Sequence, residues 1–373
     1  MIQINVDAIR EQLMNSCIVN GDLCSLKDIE EMGVFEFGKR AKLFMPQKLY
    51  KYYSNLDTTL PDGLVVNYSQ QALINNTVYM QTPTKFDDVY DSDITIDYGE
   101  YQRLRVMDYC RRCGVEVDKN WTNQEAGDTL VKTLWPFFLG NHLEQAFIAA
   151  PESELESLSN QNFCLSILVK CQTATDFGQA VSNAIAEEYQ KYCDYLKTIF
   201  RTACFTSTPY SQLMWGAGYA DEHRGFCVEY TVLPQDAAYQ DVYLNLFPMV
   251  YCKTRPDVTT RIVKAKDKMY TDDVLWDIYF HGALRKSIDW AYQNEWRLLL
   301  PFGKNKENYN VKFFPITKVF LGNRMDAQNR QEIIKICKSR GIPYVGVKRN
   351  PKIFEMQDCE VLCENCQNLA QHT

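Results

Sequence analysis

Apolar residues recur at steps of three and four through Val181, Ala184, Ile185, Tyr189, Tyr192, Leu196 and Ile199, while Glu187, Glu188, Gln190, Lys191 and Asp194 fall between them. This spacing gives a helix one apolar face and one charged face, and it predicts an all-helical block over 97–200. On either side the pattern shortens to strands. Residues 49–53 are aromatic and strand-like, 71–75 read as the end of a short helix, and 77–80 combine β-branched and aromatic residues. That strand stops at Thr82-Pro83, because proline cannot donate to a ladder. Further strands are expected at 202–206, 225–232, 249–252 and 295–300, with a helix over 271–293. Residues 318–322 read as a buried strand. Asp326 then caps a helix carrying Ile333, Ile334 and Cys337 inward, Gly341 closes it, and 342–347 form one more strand.

The class this predicts is α+β: a mixed sheet core from 46–96 and 201–350, a large all-helical insertion at 97–200, and a C-terminal strand–helix–strand unit. A helical extension is expected over 1–45 and a cysteine-containing tail over 351–373. No internal repeat is found. The 373 residues allow about two domains, read here as one core interrupted by a helical block.

Charge narrows the function classes. Forty Lys and Arg against 47 Asp and Glu, with a pI near 5.3, argue against broad nucleic-acid or membrane binding. No apolar run approaches the roughly 18 residues of a membrane span. Asp7, Arg10 and Glu11 lie where a secretory signal would place its apolar core, so a cytoplasmic protein is expected. In that compartment the 14 cysteines read as reduced, buried, small apolar residues. Cys110 and Cys113 form one close pair, and Cys359, Cys363 and Cys366 a second cluster. Structural zinc needs four close ligands, and nothing in the sequence joins the two groups.

Three segments carry candidate chemistry. The first runs from Leu213-Met214-Trp215 through Gly216, Gly218 and Tyr219 to Asp221-Glu222-His223-Arg224. Its glycines would let backbone approach a flat ligand beside Trp215 or Tyr219, and His223 titrates near neutrality, which suits proton transfer. A turn with solvated charges and a core tryptophan explains the same residues. The second is the acidic loop with Asp87, Asp88, Asp91 and Asp93, able to hold a divalent cation or ribose hydroxyls, or simply to cap a helix. The third is Gln293-Asn294-Glu295-Trp296-Arg297, where Gln293, Glu295 and Arg297 fall on one strand face. Arg297 would pair with Glu295 and lower its pKa.

In this order the segments resemble the family called domain of unknown function 2971. The resemblance rests on Leu49-Tyr50-Lys51-Tyr52, Thr82-Pro83, Phe86-Asp87-Asp88-Val89-Tyr90-Asp91, Cys204-Phe205-Thr206, Leu213-Met214-Trp215, His223-Arg224-Gly225-Phe226-Cys227, Glu295-Trp296-Arg297 and 318–322. It departs at Asp87 and Val89, where the family has asparagine and proline, and at Gly216–Tyr219, where it commonly has His-Tyr. It implies a bacterial intracellular protein, sometimes in a defence or toxin-like setting. A remoter resemblance, to the three-part pattern of ADP-ribosyltransferases, implies that Lys51 and Tyr52 meet the phosphates or ribose of NAD. On that pattern Trp215 or Tyr219 would stack on nicotinamide, and Glu295 would stabilise the ribose cation.

Three classes stay open. One is an enzyme acting on NAD or another nucleotide, with Glu295, Gln293 and His223 catalytic and Lys51, Tyr52, Asp88, Asp91, Trp215, Tyr219, Arg224 and Arg297 binding substrate. A second is a metal-dependent phosphodiesterase or nuclease using Asp87, Asp88, Asp91 and Glu295. The third is a small-ligand sensor without chemistry. The expected partner is a small-molecule nucleotide, with NAD as substrate, no resident cofactor assigned, and no partner identified for the helical block.

Overall fold

The Asn20-Gly21 pair sits between two short runs, and both residues take positive φ (53° and 88°). A two-residue turn of that kind makes an antiparallel hairpin, so 16–25 pair as strands where a helical extension was expected. Helix arrives afterwards, over Leu26–Leu43, capped by Ser25 and broken by a kink at Gly33 (φ 70°). This is a computed structural model. It describes residues 11–86, 88–92, 96–112, 114–139, 171–196, 198, 200–216, 218–265, 280–301 and 309–359.

In chain order the described strands are β1 (Ser16–Val19), β2 (Asp22–Ser25), β3 (Lys48–Tyr53), β4 (Thr58–Thr59), β5 (Val65–Val66), β6 (Thr77–Met80), β7 (Phe200–Thr206) and β8 (Phe226–Thr231), then β9 (Leu246–Pro248), β10 (Val250–Cys252), β11 (Arg285–Ser287), β12 (Glu295–Pro301), β13 (Tyr309–Lys312), β14 (Ile316–Leu321), β15 (Tyr344–Arg349) and β16 (Met356–Cys359). The chain falls into two compact units, one holding 1–91, 200–254 and 284–373, the other 92–199 and 255–283.

The first unit is built on a mixed eight-stranded sheet in the order β16-β15-β14-β8-β3-β7-β12-β9. A four-stranded sheet, β11-β10-β1-β2, and the β13-β6 pair accompany it. Period-two alternation divides β7: Ala203 and Phe205 enter the main apolar core with Trp296 and Leu298, which leaves Thr202, Cys204 and Thr206 on the other face. The C-terminal unit forms as its caps predict. The Asp326 carboxylate accepts the Asn329 N–H at 2.9 Å, Gly341 ends the helix Ala327–Arg340 at φ 64°, and β15 returns parallel to β14. The fold is α+β.

The second unit contains the helices Tyr98–Arg112, Asn123–Leu139 and Ala174–Leu196, and it also takes in Thr259–Ala265, outside the expected 97–200 block. Glu188, expected on the solvent face, is buried. It pairs with the fully buried Arg105 at 2.8 Å and accepts the Tyr101 hydroxyl at 2.7 Å. A carboxylate enters a core only when cation and hydroxyl donors replace its water.

The helix expected over 271–293 is not continuous. The described part is helical at 280–283, then gives β11, which pairs parallel with β10, and a 3-10 helix at Ile288–Gln293. Cys110 lies buried in its helix and Cys359 in β16, while Cys113, Cys363 and Cys366 fall outside the described residues. Among the described residues no helix is long and apolar enough to cross a membrane.

Candidate functional site

β3 is where the main sheet comes apart. It pairs with β8 from Lys48↔Thr231 to Tyr53↔Phe226, yet meets β7 only at Tyr50↔Thr206. Past that point the strands diverge, and the Lys51 ammonium crosses the gap to donate to the Cys204 carbonyl at 3.1 Å. A cavity of about 540 Å³ opens there, lined by both strands and by aromatic rings including Tyr50, Tyr52, Phe86, Tyr219, Trp290 and Tyr292. Its volume is that of an ordinary small-molecule site.

Three buried charges, Asp91, Lys286 and Glu295, line this cavity, and a fourth, Arg297, is paired with the two carboxylates. The Arg297 guanidinium donates to both Asp91 oxygens at 2.8 Å and, through Nε at 2.9 Å, to Glu295 Oε1. Lys286 Nζ lies 3.1 Å from Glu295 Oε2 and 3.2 Å from Asp91 Oδ2, and donates to Gln293 Oε1 at 2.9 Å. Gln293 passes its amide N–H to the Tyr219 hydroxyl at 2.6 Å. The Glu295 backbone N–H donates to the Tyr251 hydroxyl at 2.8 Å. Register explains the convergence: Glu295 and Arg297 are two residues apart on β12, opposite Thr206 and Cys204.

Burial by itself would push the Glu295 carboxyl up. The Arg297 and Lys286 charges outweigh it and hold the group below its ordinary range. For Lys286 burial acts downward, and Glu295 and Asp91 overcome it, so its ammonium stays charged. Lys51 has no such partner set, and burial lowers it. Burial, reinforced by Glu295, pushes the Cys204 thiol up to about 12; it stays protonated and donates to Glu295. Burial likewise pushes the Tyr219 phenol up to about 12.

The cavity thus brings together Lys51, Tyr52, Asp88, Asp91, Tyr219, Gln293 and Glu295 from the expected set. Arg297 lies behind them, fully buried, and acts through Asp91 and Glu295. Trp215 is not among the residues that line the cavity. It is fully buried, its indole N–H donates to the Pro209 carbonyl at 2.7 Å, and it packs edge-on against Tyr52. Arg224 is half exposed and pairs with Asp221 at 2.9 Å.

His223 also stands apart from the lining residues. It stacks on Trp215, and burial with Arg324 and Arg349 lowers its pKa. It ends a run of left-handed backbone at Asp221, Glu222 and His223 (φ 46°, 50° and 71°), whose amide and carbonyl groups tie the turn to Trp215 and Arg324. Asp87 and Asp93 fall outside the described residues.

Sequence reading missed Lys286 and Tyr251. Lys286 fell inside a stretch read as helix, and a lone lysine there carries no signal. Tyr251 read as an ordinary strand aromatic, and only the fold puts its hydroxyl under Glu295. Among the described residues no group of three or more His, Cys, Asp or Glu is placed to hold a metal ion.

A family model described as Protein of unknown function (DUF2971) matches residues 214–298. No curated protein and no solved structure matches the chain. The matched stretch contains Tyr219, Lys286, Gln293, Glu295 and Arg297, most of the charged wall of the cavity. The key residues of the third candidate segment lie within this match, so residues 214–298 are similar to the DUF2971 family.

Proposed function

We propose that the cavity binds NAD or another nucleotide and that Glu295 assists cleavage of its nicotinamide–ribose bond. The observation that carries this reading is the ionised Glu295 carboxylate, held by Arg297 and Lys286 in the wall of an aromatic-lined cavity. Cleavage sends the C1′–N bonding pair to the pyridinium nitrogen, so nicotinamide departs neutral and needs no general acid. Positive charge develops on the ribose, and a fixed carboxylate stabilises it without reorganisation. Water or an acceptor nucleophile then bonds to C1′ and loses a proton. The split at β3 resembles the divided sheet of ADP-ribosyltransferases, and NAD consumption suits a cytoplasmic defence or toxin-like role.

Nicotinamide release from NAD tests it. Wild type should release nicotinamide, and Glu295→Gln should lower the rate by about 10²-fold. If neither protein releases nicotinamide and NAD does not raise the Tm, the reading fails. One observation favours a sensor instead: both Glu295 oxygens already accept cationic donors. Stabilisation by NAD without any release would select that alternative. The metal-dependent reading draws no support from Asp91 and Glu295, whose carboxylates are paired with Lys286 and Arg297.

A further inference from the structure

Two polar atoms of the cavity's lining residues lack a partner. Thr202 is fully buried, and its backbone N–H and C=O are both taken by Gln81, at 2.9 and 3.1 Å. Its hydroxyl has no hydrogen bond. Asp88 Oδ1 accepts the Tyr90 N–H at 3.0 Å, while Asp88 Oδ2 is buried and bonded to nothing. Both residues line the cavity. Buried polar atoms are nearly always satisfied, so orphaned atoms at a cavity mark the place where a ligand completes the set.

The position of Thr202 marks the ligand's far end, and Asp88 is carried into the same cavity by the loop that holds Asp91, whose N–H donates to the Asp88 carbonyl at 3.1 Å. Thr202 lies four residues along β7 from Thr206, the register partner of Glu295. At strand rise that separation is about 13 Å, longer than a nucleoside and within reach of an extended dinucleotide. Phe86 and Tyr79 line the same cavity. The Phe86 ring already carries the Arg297 guanidinium over one face, 5.5 Å from its centroid, so Tyr79 is the ring left to meet a flat base. A carboxylate oxygen can only accept, whereas a hydroxyl can donate. An edge that presents an amino N–H beside a ring-nitrogen acceptor satisfies both.

We infer that Thr202 and Asp88 form a base-recognition subsite selecting adenine: the 6-amino group donates to Asp88 Oδ2 and the Thr202 hydroxyl donates to the neighbouring ring nitrogen. This rests on the nucleotide reading and adds the identity of the second base. Hypoxanthine reverses the pattern, with a carbonyl in place of the amine and an N–H in place of the bare nitrogen. It therefore sets acceptor against acceptor at Asp88.

The test is titration calorimetry of the full chain with ADP-ribose and with its hypoxanthine counterpart, neither of which carries the bond to be cleaved. Wild type should bind ADP-ribose at least about tenfold more tightly, the scale of one hydrogen bond to a charged group. Thr202→Val keeps the side-chain shape and should narrow that ratio, and Asp88→Asn, whose amide can donate, should shift it toward hypoxanthine. Equal binding of the two ligands by wild type, with nicotinamide still released from NAD, overturns the subsite and leaves the nucleotide reading intact. Binding of neither with NAD still cleaved also overturns it. Binding of neither with no cleavage removes both.

Discussion

Gly225→Ala and Gly322→Ala should each destabilise the protein by more than about 3 kcal/mol, beyond the usual range for overpacking. A Cβ on Gly225 would stand 2.0 Å from the Tyr53 carbonyl oxygen and 3.0 Å from that of Ala220. On Gly322 it would stand 2.0 Å from the His223 carbonyl oxygen and 2.7 Å from that of Gly225. The obstacles are backbone atoms held by hydrogen bonds, so no rotamer change relieves the contact. Gly322 N–H donates to the Gly225 carbonyl at 3.0 Å, and Arg324 N–H to the His223 carbonyl at 3.0 Å. Either substitution must push the turn of 218–225 away from β14 and from the end of β3, at the edge of the cavity. Urea denaturation of the two variants measures the loss. Gly218→Ala is the control, since its Cβ would meet nothing within 4 Å. A loss under 1 kcal/mol for Gly225→Ala would show that this turn is not locked by close backbone approach.

These glycines also show what the sequence could and could not convey. The aromatic-glycine segment was legible as unusual, but its sense was reversed: the tight glycine is Gly225, placed against backbone, and Trp215 packs in the core. Spacing alone does not distinguish a glycine that admits a ligand from one that admits another strand. Elements with local determinants were the readable ones. The capped helix Ala327–Arg340 and the strand pair around it needed only Asp326, Gly341 and apolar periodicity. The Glu295–Arg297 pair followed from two-residue alternation. Lys286 and Tyr251 depend on β10 and β11 meeting in parallel beside β12, a long-range arrangement with no local pattern. Glu188 was misplaced for the same reason, since its partner Arg105 lies on another helix.

Arg297→Met should cost about 3–5 kcal/mol at pH 7 and should also invert the acid response of the protein. In the wild type, Glu295 titrates below its ordinary 4.5, because Arg297 and Lys286 outweigh burial. A depressed carboxyl contributes stability that is present above its unfolded value and lost as pH falls through the lower folded one. Wild type should therefore hold this contribution down to about pH 4.5. Without the guanidinium, Asp91 and Glu295 share Lys286, and burial and mutual repulsion now raise their pKa values. The buried, undercompensated charge then penalises the fold at neutral pH, and protonation relieves it. The gap between variant and wild type should shrink on acidification from pH 7 to pH 5, as read from urea midpoints across that range. The double variant Arg297→Met, Asp91→Asn restores the charge count and should recover part of the loss, a non-additivity expected only for groups in direct contact. A pH-independent gap, or a double variant whose losses simply add, would mean that Arg297 stabilises through packing and does not set the charge of Glu295. If the charge account holds, nicotinamide release by Arg297→Met should fall even where the variant is folded, because the carboxylate facing the ribose would be partly protonated.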